Sequence, residues 1–140
     1  GTRPVVKIFT GKKGITSVYD DMMTTLKKGE VFYRYESHKN YRKNRKYLPE
    51  RYFERTGDSG DLDRYIITNE QTGRTKKQRL GRFFKIVPAS YDVFAYDISH
   101  IIYGDKVAFI DFSSETAYIL ESPAFARFQQ KIFRLLFDKL

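Results

Sequence analysis

The chain contains no cysteine, so it can build neither a disulfide framework nor a thiolate metal site. Histidine is almost missing: with only His38 and His100, a dedicated zinc site is not expected, nor is any other metal or cofactor. No apolar run approaches the roughly 20 residues that span a bilayer, and no signal-peptide pattern opens the chain, so no membrane partner is expected. The first residues are Gly1 and Thr2 rather than Met. They are expected to be a cloning remnant at the head of a cloned fragment.

What is present suits a packed core. The 140 residues are 41% hydrophobic and 16% aromatic, which excludes wholesale disorder. One domain over residues 3–140 is expected, burying about two thirds of its unfolded surface. The net charge of +9 is unevenly spread. Residues 1–87 carry 21 Lys/Arg against 10 Asp/Glu, a balance of +11, and residues 88–140 carry 5 against 7, a balance of −2. Attraction to a polyanion would therefore belong to the first part, unless its lysines simply solvate the surface.

Val5 to Phe9 reads as a strand, followed by a Gly11-Lys12-Lys13-Gly14 turn and a helix to about Lys28. Ile15, Val18, Tyr19, Met22 and Leu26 recur at three- and four-residue steps and predict its buried face. Gly29 stops it, and Val31 to Tyr35 returns as a strand, a βαβ unit with parallel strands. A short helix is expected from Pro49 to Arg55, a third strand at Arg64–Thr68, and a fourth from Phe83 to Val87 ahead of Pro88. The last third reads as antiparallel strands at Val93–Asp97, Ser99–Tyr103, Val107–Phe112 and Thr116–Leu120. A Ser122-capped, Pro123-initiated helix closes the chain, with Phe125, Phe128, Ile132, Leu135 and Leu136 expected to face the sheet and Phe133 and Phe137 to flank them.

The Gly11–Gly14 turn offers helix amides to an anion, although it is no P-loop, and a plain β–α turn with solvated lysines explains it better. Lys39, Arg42, Lys43, Arg45 and Lys46, with Tyr41 and Tyr47 interleaved, are candidates for phosphate contact and base stacking. Arg74, Lys76, Lys77 and Arg79, followed by Arg82, would add a second patch. Asp92, Asp97, Asp105 and Asp111 are the acidic residues that a Mg2+-dependent phosphoryl chemistry would need, but turn and strand-end roles account for them as well.

Tyr96 to Asp111 resembles the strand–turn–strand unit of phospholipase D and related nucleases, in which an H-x-K-x4-D signature runs into a D-K-V-A-type turn. With that turn set on Asp105-Lys106-Val107-Ala108, the family's His, Lys and Asp positions fall on Asp97, Ser99 and Gly104. The attacking imidazole and the phosphate-holding ammonium are thus both missing, and His100, one residue along, belongs to the opposite strand face. The resemblance implies an α/β fold, a phospholipase D-like mixed central sheet flanked by helices, with the catalytic motif lost.

Val5 to Ile15, Gly29 to Tyr35 and Arg64 to Asn69 together resemble the effector part of TrmB-type regulators. These prokaryotic transcription factors join a winged helix-turn-helix to a degenerate phospholipase D-like module. The resemblance implies a cytoplasmic, noncatalytic effector-sensing and dimerisation domain: a homodimer, with DNA held through a winged-helix domain outside this sequence and weakly through the basic patch. The winged helix and the β-rich sugar-binding portion of sugar-sensing members are both absent from these residues, so a sugar effector is not implied. A small-molecule pocket would be a remnant of the phosphate site, lined by Asp97, Ser99 and His100 with Tyr33, Arg34, Tyr35 and Ser37 at the carboxyl end of the second strand. The alternative is a filled site with Tyr33 and Tyr35 in the core. The Phe-rich last helix is the candidate dimer surface. A stand-alone nucleic-acid-binding module and a diverged phosphodiesterase are the other two readings.

Overall fold

A computed structural model describes residues 3–69 and 82–140. Its strands are β1 (Val5–Thr10), β2 (Val31–Tyr35), β3 (Asp63–Asn69), β4 (Arg82–Val87), β5 (Ile98–Tyr103), β6 (Lys106–Asp111) and β7 (Thr116–Glu121). They form one seven-stranded mixed sheet in the order β1-β7-β6-β5-β2-β3-β4. The β2–β3 and β3–β4 pairs are parallel, and every other pair is antiparallel. The fold is therefore α/β, with helices on both faces of a mixed sheet. β1 and β2 do run in the same direction, but β7, β6 and β5 lie between them, so the expected βαβ neighbours are separated by the later meander.

The helix α1 (Gly11–Thr25) starts at Gly11 itself, whose φ of +76° suits glycine, so the Gly-Lys-Lys-Gly run is the first helical turn rather than a loop. Ile15, Val18, Tyr19, Met22 and Leu26 are all buried, as their spacing predicts. Ser37 caps α2 (His38–Lys43) by accepting a hydrogen bond from the Asn40 N–H at 3.1 Å. A 3-10 turn at Arg45–Tyr47 leads to α3 (Glu50–Thr56), with Pro49 at its N-cap. With α1 and α3, Phe32, Ile101, Tyr103 and Ile110 form the larger core.

The Tyr103–Lys106 hairpin turns on Gly104 (φ +56°) and Asp105. It is tied to α1: Tyr103 donates its hydroxyl to Asp21 at 2.8 Å, and Lys106 pairs with the same carboxylate at 3.0 Å. Val93–Asp97 is not a strand. Asp92 takes a left-handed conformation (φ 55°), Val93 and Tyr96 point into solvent, and the segment is a series of turns leading into β5.

The last helix, α4 (Pro123–Lys139), has the expected Ser122 cap, whose Oγ accepts from the Phe125 N–H at 3.3 Å. Its phase is the reverse of the expected one. Ala126 and Phe133, each 0% exposed, contact the sheet, and Phe133 joins Tyr33, Ile67, Val87 and Ile102 in a second core. Phe125, Phe128, Ile132, Leu135 and Leu136 face outward. Small Ala126 lets the helix approach closely where a Phe could not, and that decides which of two apolar stripes packs.

Candidate functional site

β2 occupies the position where the parallel and antiparallel halves of the sheet meet, between β3 and β5. Side chains alternate along it, so Phe32 and Arg34 project toward α1 and α3 while Tyr33 and Tyr35 project toward α4. The expected pocket residues are thereby divided between two faces.

On the α1 face, Arg34 is buried and donates through Nη1 to the Tyr52 hydroxyl. Its Nε lies 3.8 Å from Glu36 Oε2, and its guanidinium sits 4.8 Å over the Tyr41 ring. Burial works to lower the Arg34 pKa, but Tyr52 and Glu36 outweigh it and the net shift is upward. The same burial, with Glu36 next, pushes the Tyr19 hydroxyl well above its usual range. Continuing the β2–β5 and β2–β3 registers by one residue sets Glu36 between Ser99 and Thr68. Both hydroxyls are buried without a hydrogen-bond partner among the described residues, as are Nε and Nη1 of Arg64. The result is a buried polar network on the apolar side of a sheet.

Ser37 and Asp97 both hold α2 in place. Asp97 accepts from Asn44 Nδ2 at 2.9 Å and from Lys43 Nζ at 3.1 Å, which pins α2 against the start of β5. It is an anchor for a helix rather than a pocket wall. Ser99 lies inside the sheet face and Gly104 at the far end of β5, roughly 16 Å along the strand by the usual rise per residue, so Asp97, Ser99 and Gly104 do not converge. The other acids are separately engaged: Asp105 pairs with Arg127 at 2.8 Å, and Asp111 accepts from the Ser113 N–H at 3.1 Å. Among the described residues, no three His, Asp or Glu side chains gather to share a metal.

On the α4 face, Phe133 packs edge-on to Tyr33 and Tyr35 at 5.1 and 4.9 Å, and Tyr35 stacks on His100 at 5.4 Å. His100 in turn stacks on Phe109 at 4.3 Å and donates its Nδ1–H to the Ala108 carbonyl at 3.1 Å. Tyr35 and His100 thus fill space on this face of the sheet. Burial lowers the His100 pKa below 6.5, against smaller upward effects of Ala108 and Gln129. The unfolded chain then binds a proton that the folded chain refuses, so stability is retained above about pH 6.5 and falls as pH drops toward the folded value. His100→Phe is expected to flatten that decline in urea midpoints measured between pH 7.5 and 5. An unchanged slope would assign the decline to other groups.

Beside Tyr33 the α4 face opens. Arg134 donates through Nη2 and Nε to the Tyr33 hydroxyl at 2.7 and 3.2 Å, and a cavity of about 170 Å3 lies among Tyr33, Tyr65, Phe133, Arg134, Phe137 and Asp138. Apart from Tyr33, none of these was among the pocket residues expected from the sequence.

Lys39, Arg42, Lys43, Arg45 and Lys46 are all exposed, displayed by α2 and the turn after it. The interleaved rings are not available for stacking on bases. Tyr47 is buried and donates its hydroxyl to Glu115 at 2.8 Å, while Tyr41 is half-buried beneath Arg34. Arg74, Lys76, Lys77 and Arg79 lie outside the described residues. At the start of α1, the Gly11 N–H already donates to the Glu115 carbonyl at 2.8 Å.

No protein-family model and no curated protein matches the chain. Its fold is similar to that of TrmBL2, an archaeal chromatin protein whose structure shows a novel mode of DNA binding. The TM-score is 0.55 at 12% identity, covering 96% of this chain and 52% of TrmBL2, so the chain spans about half of that protein's length. At that identity the likeness is one of fold.

Proposed function

We propose that this chain is a noncatalytic effector-sensing and dimerisation module of a TrmB-like DNA-binding regulator, built on a degenerate phospholipase D-like fold. TrmBL2's DNA binding directs the regulatory part of this reading. The noncatalytic part is supported by Asp97 clamping α2, Ser99 buried in the sheet face and Gly104 serving as a hairpin residue.

The observation that carries the reading is an apolar surface left uncovered on the α4 face. Ile8, Tyr118, Phe109, His100 and Tyr35 form one continuous cross-strand row. Phe133 covers its Tyr35 end, whereas Ile8 is 66% exposed and Tyr118 and Phe109 are also open. The helix continues the patch. Arg127, Lys131, Arg134 and Asp138 line one flank of α4, and Phe125, Phe128, Ile132, Leu135 and Leu136 line the other. Leu135 is 61% and Phe128 58% exposed. Contiguous apolar area of this kind marks an interface. A second copy is its occupant: most of the surface lies in the part with a balance of −2, so two copies of a +9 chain meet there without strong repulsion. Two-fold pairing also matches the symmetry of palindromic half-sites.

Light scattering is expected to return twice 16.6 kDa at micromolar concentration, and Ile132→Glu to return the single mass with an unchanged circular dichroism spectrum. A wild-type mass of 16.6 kDa at every concentration would remove the dimer. In the same samples a labelled duplex should bind weakly and stay intact with Mg2+. Tight, steeply salt-dependent binding would favour the stand-alone nucleic-acid module, a reading supported by the five exposed cations that α2 and its following turn display. Cleavage would revive the phosphodiesterase.

A further inference from the structure

The cavity beside Tyr33 has a composition that restricts what can occupy it. Tyr33, Tyr65 and Phe83 are cross-strand partners on β2, β3 and β4, and their rings stack side by side at 5.6 and 5.1 Å, within 25° of parallel. Phe133 and Phe137 come down from α4 edge-on, at 5.1 Å from Tyr33 and 5.3 Å from Tyr65. At about 170 Å3 the space between row and helix is close to the ~150 Å3 that holds one benzene ring, and well short of the ~300 Å3 of a drug-sized site. One six-membered ring fits.

Two charged side chains of opposite sign line the same cavity. Arg134 is held by the Tyr33 hydroxyl, and Asp138 follows one helical turn later. This sets a donor tethered to Tyr33 beside an exposed carboxylate acceptor at the edge of an aromatic slot. A free anion is disfavoured, because Asp138 and the negative end of the α4 dipole both lie there. A sugar ring would bring more hydroxyls than the few polar groups of the lining can pair, and a buried unpaired hydroxyl is costly. A neutral planar heterocycle with an acceptor and a donor on one edge meets every requirement.

We propose that this cleft binds a single nucleobase ring, packed between the Tyr33–Tyr65 row and α4, its edge read by Arg134 and Asp138. The proposal rests on the sensing role argued above and moves the effector site from the Arg34 face of the sheet to the α4 face. The base can arrive as a free nucleoside or as part of a single strand, and the two sources are separable.

The domain, labelled with 15N, is titrated with each of the four ribonucleosides and with short single-stranded homo-oligonucleotides, and amide shifts are followed. At least one nucleoside is expected to saturate with its shifts centred on Tyr33, Tyr65 and Asp138. Arg134→Gln and Asp138→Asn should each weaken it about tenfold, the loss of one charge-assisted hydrogen bond, with dimer mass unchanged. Saturation by oligonucleotides alone would name a strand as the source and still support the base-binding chemistry. No saturable shift with any ligand, or binding indifferent to both substitutions, overturns the proposal while leaving the dimer reading intact. Nucleoside binding by a chain that stays monomeric would instead overturn the regulatory reading and keep the cleft.

Discussion

Arg34→Met is expected to destabilise the fold by about 3–5 kcal/mol, the cost of breaking a buried ion pair by removing one partner. Arg34 and Glu36 have side chains only 3% and 2% exposed, and the guanidinium also serves Tyr52 and Tyr41. Without it, the carboxylate loses the cation beside it and the Tyr52 hydroxyl loses its donor. A domain of this size has on the order of 5–15 kcal/mol in total, so the variant should sit near the edge of folding. Arg34→Met combined with Glu36→Leu removes both charges and should recover most of the loss, because two apolar side chains of similar shape carry no desolvation cost. Urea midpoints at constant slope provide the measurement. A loss below about 1 kcal/mol in the single variant would mean that the pair is solvated and the network is not buried in solution.

Phe133→Ala should cost about 3–5 kcal/mol, as an emptied aromatic site in a core does. Phe133 is fully buried and touches Tyr33, Tyr35 and Phe137. Phe128→Ala, five residues earlier on the same helix, should change monomer stability by no more than about 0.5 kcal/mol. Its effect appears instead in association, as a dimer that dissociates at higher concentration. Melting and light scattering on the two variants therefore separate the two faces of α4. Equal losses of stability would reverse the orientation of the helix.

That pair of residues also shows how far the sequence could be read. In α1 the apolar residues form one stripe, so spacing alone identified the buried face. In α4, Ala126, Phe133 and Phe137 make one stripe and Phe125, Phe128, Ile132 and Leu135 another, and helical periodicity does not choose between them. The small residue was the available signal. The Tyr103–Lys106 hairpin and the Ser122 cap were legible because both are local. Val93–Asp97 was not, since the consecutive apolar run Val93-Phe94-Ala95-Tyr96 reads as a strand but has no sheet neighbour to receive it. For the site, Tyr33, Arg34 and Tyr35 were expected in one crevice, although period-two alternation along β2 sends Arg34 and Glu36 to one face and the two tyrosines to the other. Arg64, Thr68, Tyr65 and Arg134 could not be found this way, because strand order and helix placement bring them there from distant parts of the chain.

The pairing of β1 with β7 has a kinetic consequence. Val5 lies opposite Glu121, so among the described residues the first strand pairs only with the last, and α1 rests on both. Closing a loop of that length is entropically slow, and a chain emerging from the ribosome must hold Val6 and Ile8 unpaired until Thr116–Glu121 has been synthesised. The β2–β6 portion can pair earlier by shorter loops. β1, made well before its partner, is thus late to settle, and during that interval its exposed edge is where a newly made copy is most open to pairing with another chain.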